Sequence, residues 1–271
     1  PPHRLGVAAM VALGWDLPTM TARNRRAFVD LAPFQHWTLP FYSMIQPDRI
    51  ALVSKYLYGD ARIEDLWLPM FCVSCDLLSG AMNVHRTGPL AAAVLATTAL
   101  PGVLPPVLHE GKLLVDGGVM DNNPVAVMRE LGPGPVVLID VGQAVARLVD
   151  PPDLPQLPSN PMAAWHRFKW FGERIRVPTI PEIVARTMTV ARPNHDLARI
   201  SDLYVRPPVD AYGMTDFARQ DELVAIGYDA TLRALRAALG DPERVRALGL
   251  SVDRVEAMRP MAKLERGPGP R

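Results

Sequence analysis

Cysteine is scarce in this chain and net charge is almost absent. The two cysteines, Cys72 and Cys75, are too few for a disulfide framework. Their C-x-x-C spacing has no second pair and falls in an apolar run, Phe71-Cys72-Val73-Ser74, that reads as a strand. An odd spacing on a strand puts the two side chains on opposite faces, which favours two buried thiols over a metal or redox pair. The formal net charge of +1 excludes the basic stripe of an electrostatic nucleic-acid binder. Neither a P-loop nor a Gly-x-Gly-x-x-Gly occurs, so nucleotide binding has no motif behind it. No basic region precedes a long apolar stretch at the N-terminus, so no signal peptide is expected and the cytoplasm is the expected compartment. Thr87 to Leu108 carries no charge, but Pro101, Gly102, Pro105 and Pro106 interrupt it. A single spanning helix tolerates such interruptions poorly. The stretch reads as a buried helix from about Pro89 to Ala99 followed by a proline-rich turn. No internal repeat, cofactor motif or metal-ligand cluster is visible.

What is present is apolar surface: 49% of the 271 residues are hydrophobic, enough for a sizeable core. The first hundred and fifty residues alternate short apolar runs with helical stretches. This predicts an α/β layered fold with a mostly parallel central sheet flanked by helices. Phe71 to Leu77 and Ala81 to His85 read as a hairpin with Ser79-Gly80 at the turn. Lys112 to Val115 reads as a strand. Asn123 to Glu130 reads as a helix capped by Asn123, with Pro124 at its first position and Gly132 past its end. Pro135 to Val141 reads as a buried strand of the parallel type, so residues 112–141 form a strand–helix–strand unit. Asp150 to Pro161 is proline-rich and reads as a linker or surface loop. Phe217 to Leu239 reads as a long helix with Leu223, Ile226 and Leu232 among its apolar positions. The division expected is a main domain over 1–240 and a helical tail over 241–271, with disorder from Arg266 to Arg271.

The strongest local signal is Leu113-Leu114-Val115-Asp116-Gly117-Gly118-Val119-Met120-Asp121-Asn122-Asn123-Pro124. It places a carboxylate just past a strand end, where ligands and reactive groups gather in open α/β sheets. Two glycines follow, which allow a sharp turn and close backbone approach. Position alone leaves Asp116 either a turn-capping aspartate or a functional carboxylate. Trp165 to Arg176 is aromatic and basic together. It reads either as an element in peripheral contact with a membrane or as a surface helix packing its aromatics on the domain.

The Asp116-Gly117-Gly118 run resembles the second catalytic motif of the patatin-like phospholipases. The wider context is similar to the branch that includes neuropathy target esterase. The matching segments, in order, are Gly59 to Pro69 (Gly-Asp-Ala-Arg-Ile-Glu-Asp-Leu-Trp-Leu-Pro), Val84 to Leu90, Ala96 to Pro106 and Leu114 to Pro124, with a weaker match at Asp202 to Pro208. The resemblance covers roughly residues 6–230. It implies a patatin-like layered fold and hydrolysis of phospholipid or lysophospholipid acyl esters by a Ser–Asp dyad, without a cofactor. In that scheme a serine on a Gly-x-Ser-x-Gly turn attacks the carbonyl, and an aspartate, matched here by Asp116, takes its proton. A glycine-rich loop holds the oxyanion. The histidines need no part in it, and His85 and His109 read as strand-end or loop residues.

The sequence departs from that pattern at the nucleophile. None of Ser43, Ser54, Ser74, Ser79, Ser159, Ser201 and Ser251 sits in a Gly-x-Ser-x-Gly, and no glycine-rich loop occurs. The helix that follows such a turn is matched by Gly6 to Asp16. If Gly6 is the last glycine of the motif, Arg4 stands at the serine position, within Pro2-His3-Arg4-Leu5-Gly6. The resemblance thus implies an N-terminally incomplete hydrolase domain. Loss of a catalytic serine costs about a million-fold, so the chain by itself is expected to be inactive. The other reading of the same residues is a non-catalytic lipid-binding or scaffold protein that keeps the fold.

Overall fold

The computed structural model describes residues 3–36, 38, 43–141, 197–213 and 216–258. The segments Asp150–Pro161, Trp165–Arg176 and Arg266–Arg271 lie outside the described residues. Helix α1 (His3–Ala12) and α2 (Leu17–Arg25) open the chain, and a π-helical turn, Arg26–Asp30, extends α2. Helix α3 (Pro47–Tyr58) follows. Next come β1 (Cys72–Asp76), β2 (Ala81–His85), α4 (Leu90–Thr98), β3 (Val107–His109) and β4 (Lys112–Asp116). Helix α5 (Val125–Leu131) and β5 (Val137–Ile139) complete this run. After it stand α6 (Leu197–Ile200), β6 (Leu203–Val205) and α7 (Gln220–Ala238). The last two helices are α8 (Pro242–Leu248) and α9 (Val252–Ala257).

The α/β class holds, but the main sheet corrects the expectation of mostly parallel strands. It has four strands in the order β2-β1-β4-β3, and every neighbouring pair is antiparallel. Short loops explain the β1–β2 and β3–β4 pairs, because a short connection can only return a strand antiparallel to its predecessor, whereas β1 and β4 are brought together across α4. Between β3 and β4 the two residues Glu110 and Gly111 turn the chain, both at positive φ (50° and 75°), the backbone that a two-residue hairpin needs. Between β1 and β2 the turn closes on Gly80 at φ 68°. Asp76 organises this corner. Its carboxylate accepts from Ser79 Oγ at 2.6 Å, from Leu78 N at 3.1 Å and from Leu113 N at 3.2 Å. These bonds, that from Ser79 foremost, hold its pKa below the ordinary carboxylate value.

The parallel pairing lies elsewhere. β5 and β6 form a separate two-stranded parallel sheet, with Val137, Leu138 and Ile139 opposite Leu203, Tyr204 and Val205. The elements of the 112–141 strand–helix–strand unit are present, but β5 does not pair with β4, both of whose edges are taken by β1 and β3. β5 is also less buried than expected: Leu138 is buried, while Val137 and Ile139 are about half exposed. Helix α5 begins later than expected and is not capped by Asn123. Pro124 occupies the cap position at φ −73° and ψ 63°, and the Asn123 carbonyl accepts from Val125 N at 2.6 Å.

The largest core cluster joins α1, α3, α4 and β1 through Ala9, Met10, Val53, Leu57, Cys72, Leu90, Ala93 and Val94. A second cluster sets β6 against α7, whose Leu232 is buried while Leu223 and Ile226 are half-buried. The α8 and α9 helices follow α7; Arg236 on α7 donates to the Met258 carbonyl at 2.6 Å. A stack of Phe28, Phe34 and Phe217, with adjacent centroids 4.8 and 5.4 Å apart, ties the start of α7 to the π-helical turn. The two thiols are free and buried, and burial pushes that of Cys72 up to about 12. No helix among the described residues is long and apolar enough to cross a membrane.

Candidate active site

Asp116 ends β4 with Ser74 of β1 as its register partner. Its N–H donates to the carbonyl of Ala99, the residue after α4, at 2.9 Å. Its Oδ1 accepts from Gly118 N at 2.7 Å, so the side chain caps the short 3-10 turn Gly117–Val119. This is the turn-capping geometry that the sequence allowed, and it fixes the carboxylate in one orientation. Gly117 is required on steric grounds. A methyl group on its Cα would run into the main-chain carbonyl of Val73. Gly117 and Gly118 are both buried, and the Gly117 carbonyl accepts from Met120 N and Asp121 N at 3.0 and 2.9 Å. Asp121 in turn accepts from Asn123 N at 2.9 Å.

Asp116 and Gly118 stand on the wall of a cleft of about 300 Å³, at the small end of the usual range for ligand sites. Its lining comes from Phe71 to Val73 at the start of β1, from Thr97 of α4, from Val136 and the three residues of β5, and from Ala8 of α1. Thr97 Oγ1 donates to the Val73 carbonyl, which holds that wall in place. A second, larger cavity of about 580 Å³ adjoins the first, and the two share Phe71, Met128 and Val136. Sequence reasoning found the carboxylate and missed the cleft, whose walls come from residues more than a hundred positions apart. Arg4 lies in the first turn of α1.

A second polar group sits behind the sheet. Ser74 Oγ lies 2.8 Å from His85 Nε2, within serine–base hydrogen-bonding distance. Asn83 Nδ2 approaches the same nitrogen at 3.2 Å, and Lys112 Nζ donates to Asn83 Oδ1 at 2.6 Å. Ser74 is fully buried and lines neither of the two cavities described. Burial, with the nearby His109 and Lys112, lowers His85 to about 4, so the imidazole is neutral and accepts. The unfolded chain binds a proton here near pH 6.5 that the fold refuses. Stability from this group is therefore complete above pH 6.5 and is lost as pH falls toward 4. The shift corresponds to about 3 kcal/mol at most. Urea midpoints measured at pH 7 and pH 4.5 are expected to fall further for the native sequence than for His85→Gln. Equal losses would show that His85 is charged in the fold.

No group of three or more His, Cys, Asp or Glu that would hold a metal ion occurs among the described residues. The chain is similar to known proteins over most of its length. Residues 7–129 match the family model for patatin-like phospholipase. A putative patatin-like phospholipase domain-containing protein, M110.7 of Caenorhabditis elegans, is 31% identical over 228 residues, which is 81% of this chain and 20% of that protein. The human patatin-like phospholipase domain-containing protein 6 is 33% identical over 206 residues, 73% of this chain and 15% of its own length. The lysophospholipase NTE1 of Meyerozyma guilliermondii is 33% identical over 175 residues, 64% of this chain and 12% of its own. The chain thus spans a fifth or less of these relatives. With the Asp-Gly-Gly turn inside the matched segment, the chain belongs to the patatin-like phospholipase family, in its neuropathy target esterase branch.

Proposed function

We propose that this chain carries the base of a Ser–Asp dyad that hydrolyses phospholipid or lysophospholipid acyl esters, with Asp116 as the base. One observation supports this above the others. Asp116 is a carboxylate held in a single orientation by Gly118 N at 2.7 Å, on the wall of a mainly apolar cleft. An acyl chain suits the apolar walls, and a base at the rim suits the polar ester. Among the described residues β5 pairs with β6 alone. Aromatic and basic residues at Trp165–Arg176 are proposed to assist at the lipid surface.

A second reading has its own support. No Gly-x-Ser-x-Gly occurs in these 271 residues, which favours a lipid-binding role for the chain by itself. The 271-residue chain is therefore expected to hydrolyse short-chain nitrophenyl esters no faster than a heat-denatured control. Hydrolysis well above that control, abolished by a serine-directed fluorophosphonate, would show that a serine of this chain acts as nucleophile and would overturn the expected inactivity.

A further inference from the structure

The second cavity is built differently from the cleft beside Asp116. Its walls include Leu66, Trp67, Met70 and Leu131, and two ionisable side chains line it, Glu64 and Arg86. Glu64 is fully engaged. Its Oε1 pairs with the Arg62 guanidinium at 2.7 Å, and its Oε2 accepts from Gly88 N at 2.7 Å. Those contacts, led by main-chain hydrogen bonds, hold it ionised below the ordinary carboxylate range, and Arg62 balances its charge. Arg86 is exposed, follows the last residue of β2, and has no carboxylate partner among the described residues. Among the described residues Arg86 thus brings a guanidinium without a carboxylate partner to a mainly apolar wall, on which the other ionisable side chain, Glu64, is already paired with Arg62.

A guanidinium in that setting favours an oxyanion whose shape matches its planar fork, and phosphate does so with two parallel hydrogen bonds. The volume of about 580 Å³ exceeds what a bare anion fills. The shared residues Phe71, Met128 and Val136 place the two cavities side by side. We infer that the Arg86 cavity binds the anionic phosphate headgroup of an amphiphile whose acyl portion enters the Asp116 cleft. The substrate class is then a phosphate-bearing lipid with a net negative headgroup, and Arg86 sets that preference. This rests on the Asp116 cleft being the site where the acyl ester lies.

The test is a set of equilibrium titrations on the full 271-residue chain at pH 7.5, below the micelle concentration of each amphiphile. Trp67 stands on the cavity wall and is 84% exposed, so burial by a bound amphiphile shifts its emission to the blue. Trp67→Phe identifies its share of the signal. Dodecyl phosphate is expected to bind about tenfold tighter than dodecyl maltoside, a ratio worth about 1.4 kcal/mol. Arg86→Gln is expected to erase that ratio while leaving maltoside affinity unchanged, and Arg86→Lys to keep part of it. Inorganic phosphate at equal concentration is expected not to displace dodecyl phosphate. Equal affinity for the two detergents, or a phosphate preference that survives Arg86→Gln, overturns the assignment. Displacement by inorganic phosphate would make this a free-anion site and overturn it as well. No titration requires turnover, so failure here leaves the dyad to be judged by its own kinetics, and failure of the dyad leaves this preference standing.

Discussion

Asp116→Asn is expected to lower ester hydrolysis by about 10²–10⁴-fold in a chimera that joins a family-type glycine-rich loop and Gly-x-Ser-x-Gly turn ahead of Gly6. The chimera itself is expected to gain both activity and solubility over the 271-residue chain. Unsatisfied strand edges and exposed apolar surface favour aggregation, and Val137 and Ile139 on β5 are about half exposed here. The substitution preserves size, and the amide oxygen can still accept from Gly118 N, the 2.7 Å bond that shapes the turn. Only the ability to take a proton is removed. Nitrophenyl ester rates, measured beside circular dichroism to check the fold, decide the matter. An active chimera whose rate is indifferent to Asp116→Asn would reduce Asp116 to a turn residue.

Gly117→Ala is expected to be strongly destabilising. The added carbon meets the Val73 carbonyl, which belongs to the main chain and cannot rotate away. Relief requires β1 and the Asp116 turn to separate, and forced overpacking of this kind costs about 3 kcal/mol or more. Gly132→Ala is the natural comparison. Its backbone is extended at φ −179°, and nothing lies within 4 Å of the added carbon, so the change should stay within about 0.5 kcal/mol. Urea unfolding of the two variants checks the difference. Equal midpoints would mean that the turn does not press against Val73 in solution.

Local features were legible in the sequence, and assembled ones were not. The β1–β2 hairpin followed from Ser79-Gly80, the buried helix from the apolar run that begins at Leu90, and the strand ending at Asp116 from the glycines after it. These depend on neighbours within a few residues, which is the range of turn chemistry and of helical or strand periodicity. Strand direction in the main sheet was misjudged because pairing partners are chosen at long range. Ser74 faces Asp116 across some forty residues, and no local period encodes that choice. Asn123 looked like a helix cap, yet proline at 124 occupies the cap position and leaves Asn123 to the preceding turn. The carboxylate of the candidate site was visible in sequence for the same local reasons. The cavities were invisible, since Ala8, Phe71 and Val136 meet only in the folded chain. The Ser74–His85 pair escaped notice because a serine within a strand carries no motif.

The order in which the sheet can form follows from its loops. The hairpins β1–β2 and β3–β4 close over four and two residues, contacts of low loop-closure entropy that can form on the microsecond scale. The β1–β4 ladder joins them only afterwards, because its closure spans the whole of α4. Asp116 is the terminal pair of that ladder, and its N–H is fastened to Ala99 at the end of α4. The Gly118 N bond orients the carboxylate locally, while the β1–β4 ladder places the turn against the rest of the sheet, so a chain arrested before that ladder is expected to hold both hairpins and leave the Asp-Gly-Gly turn undocked.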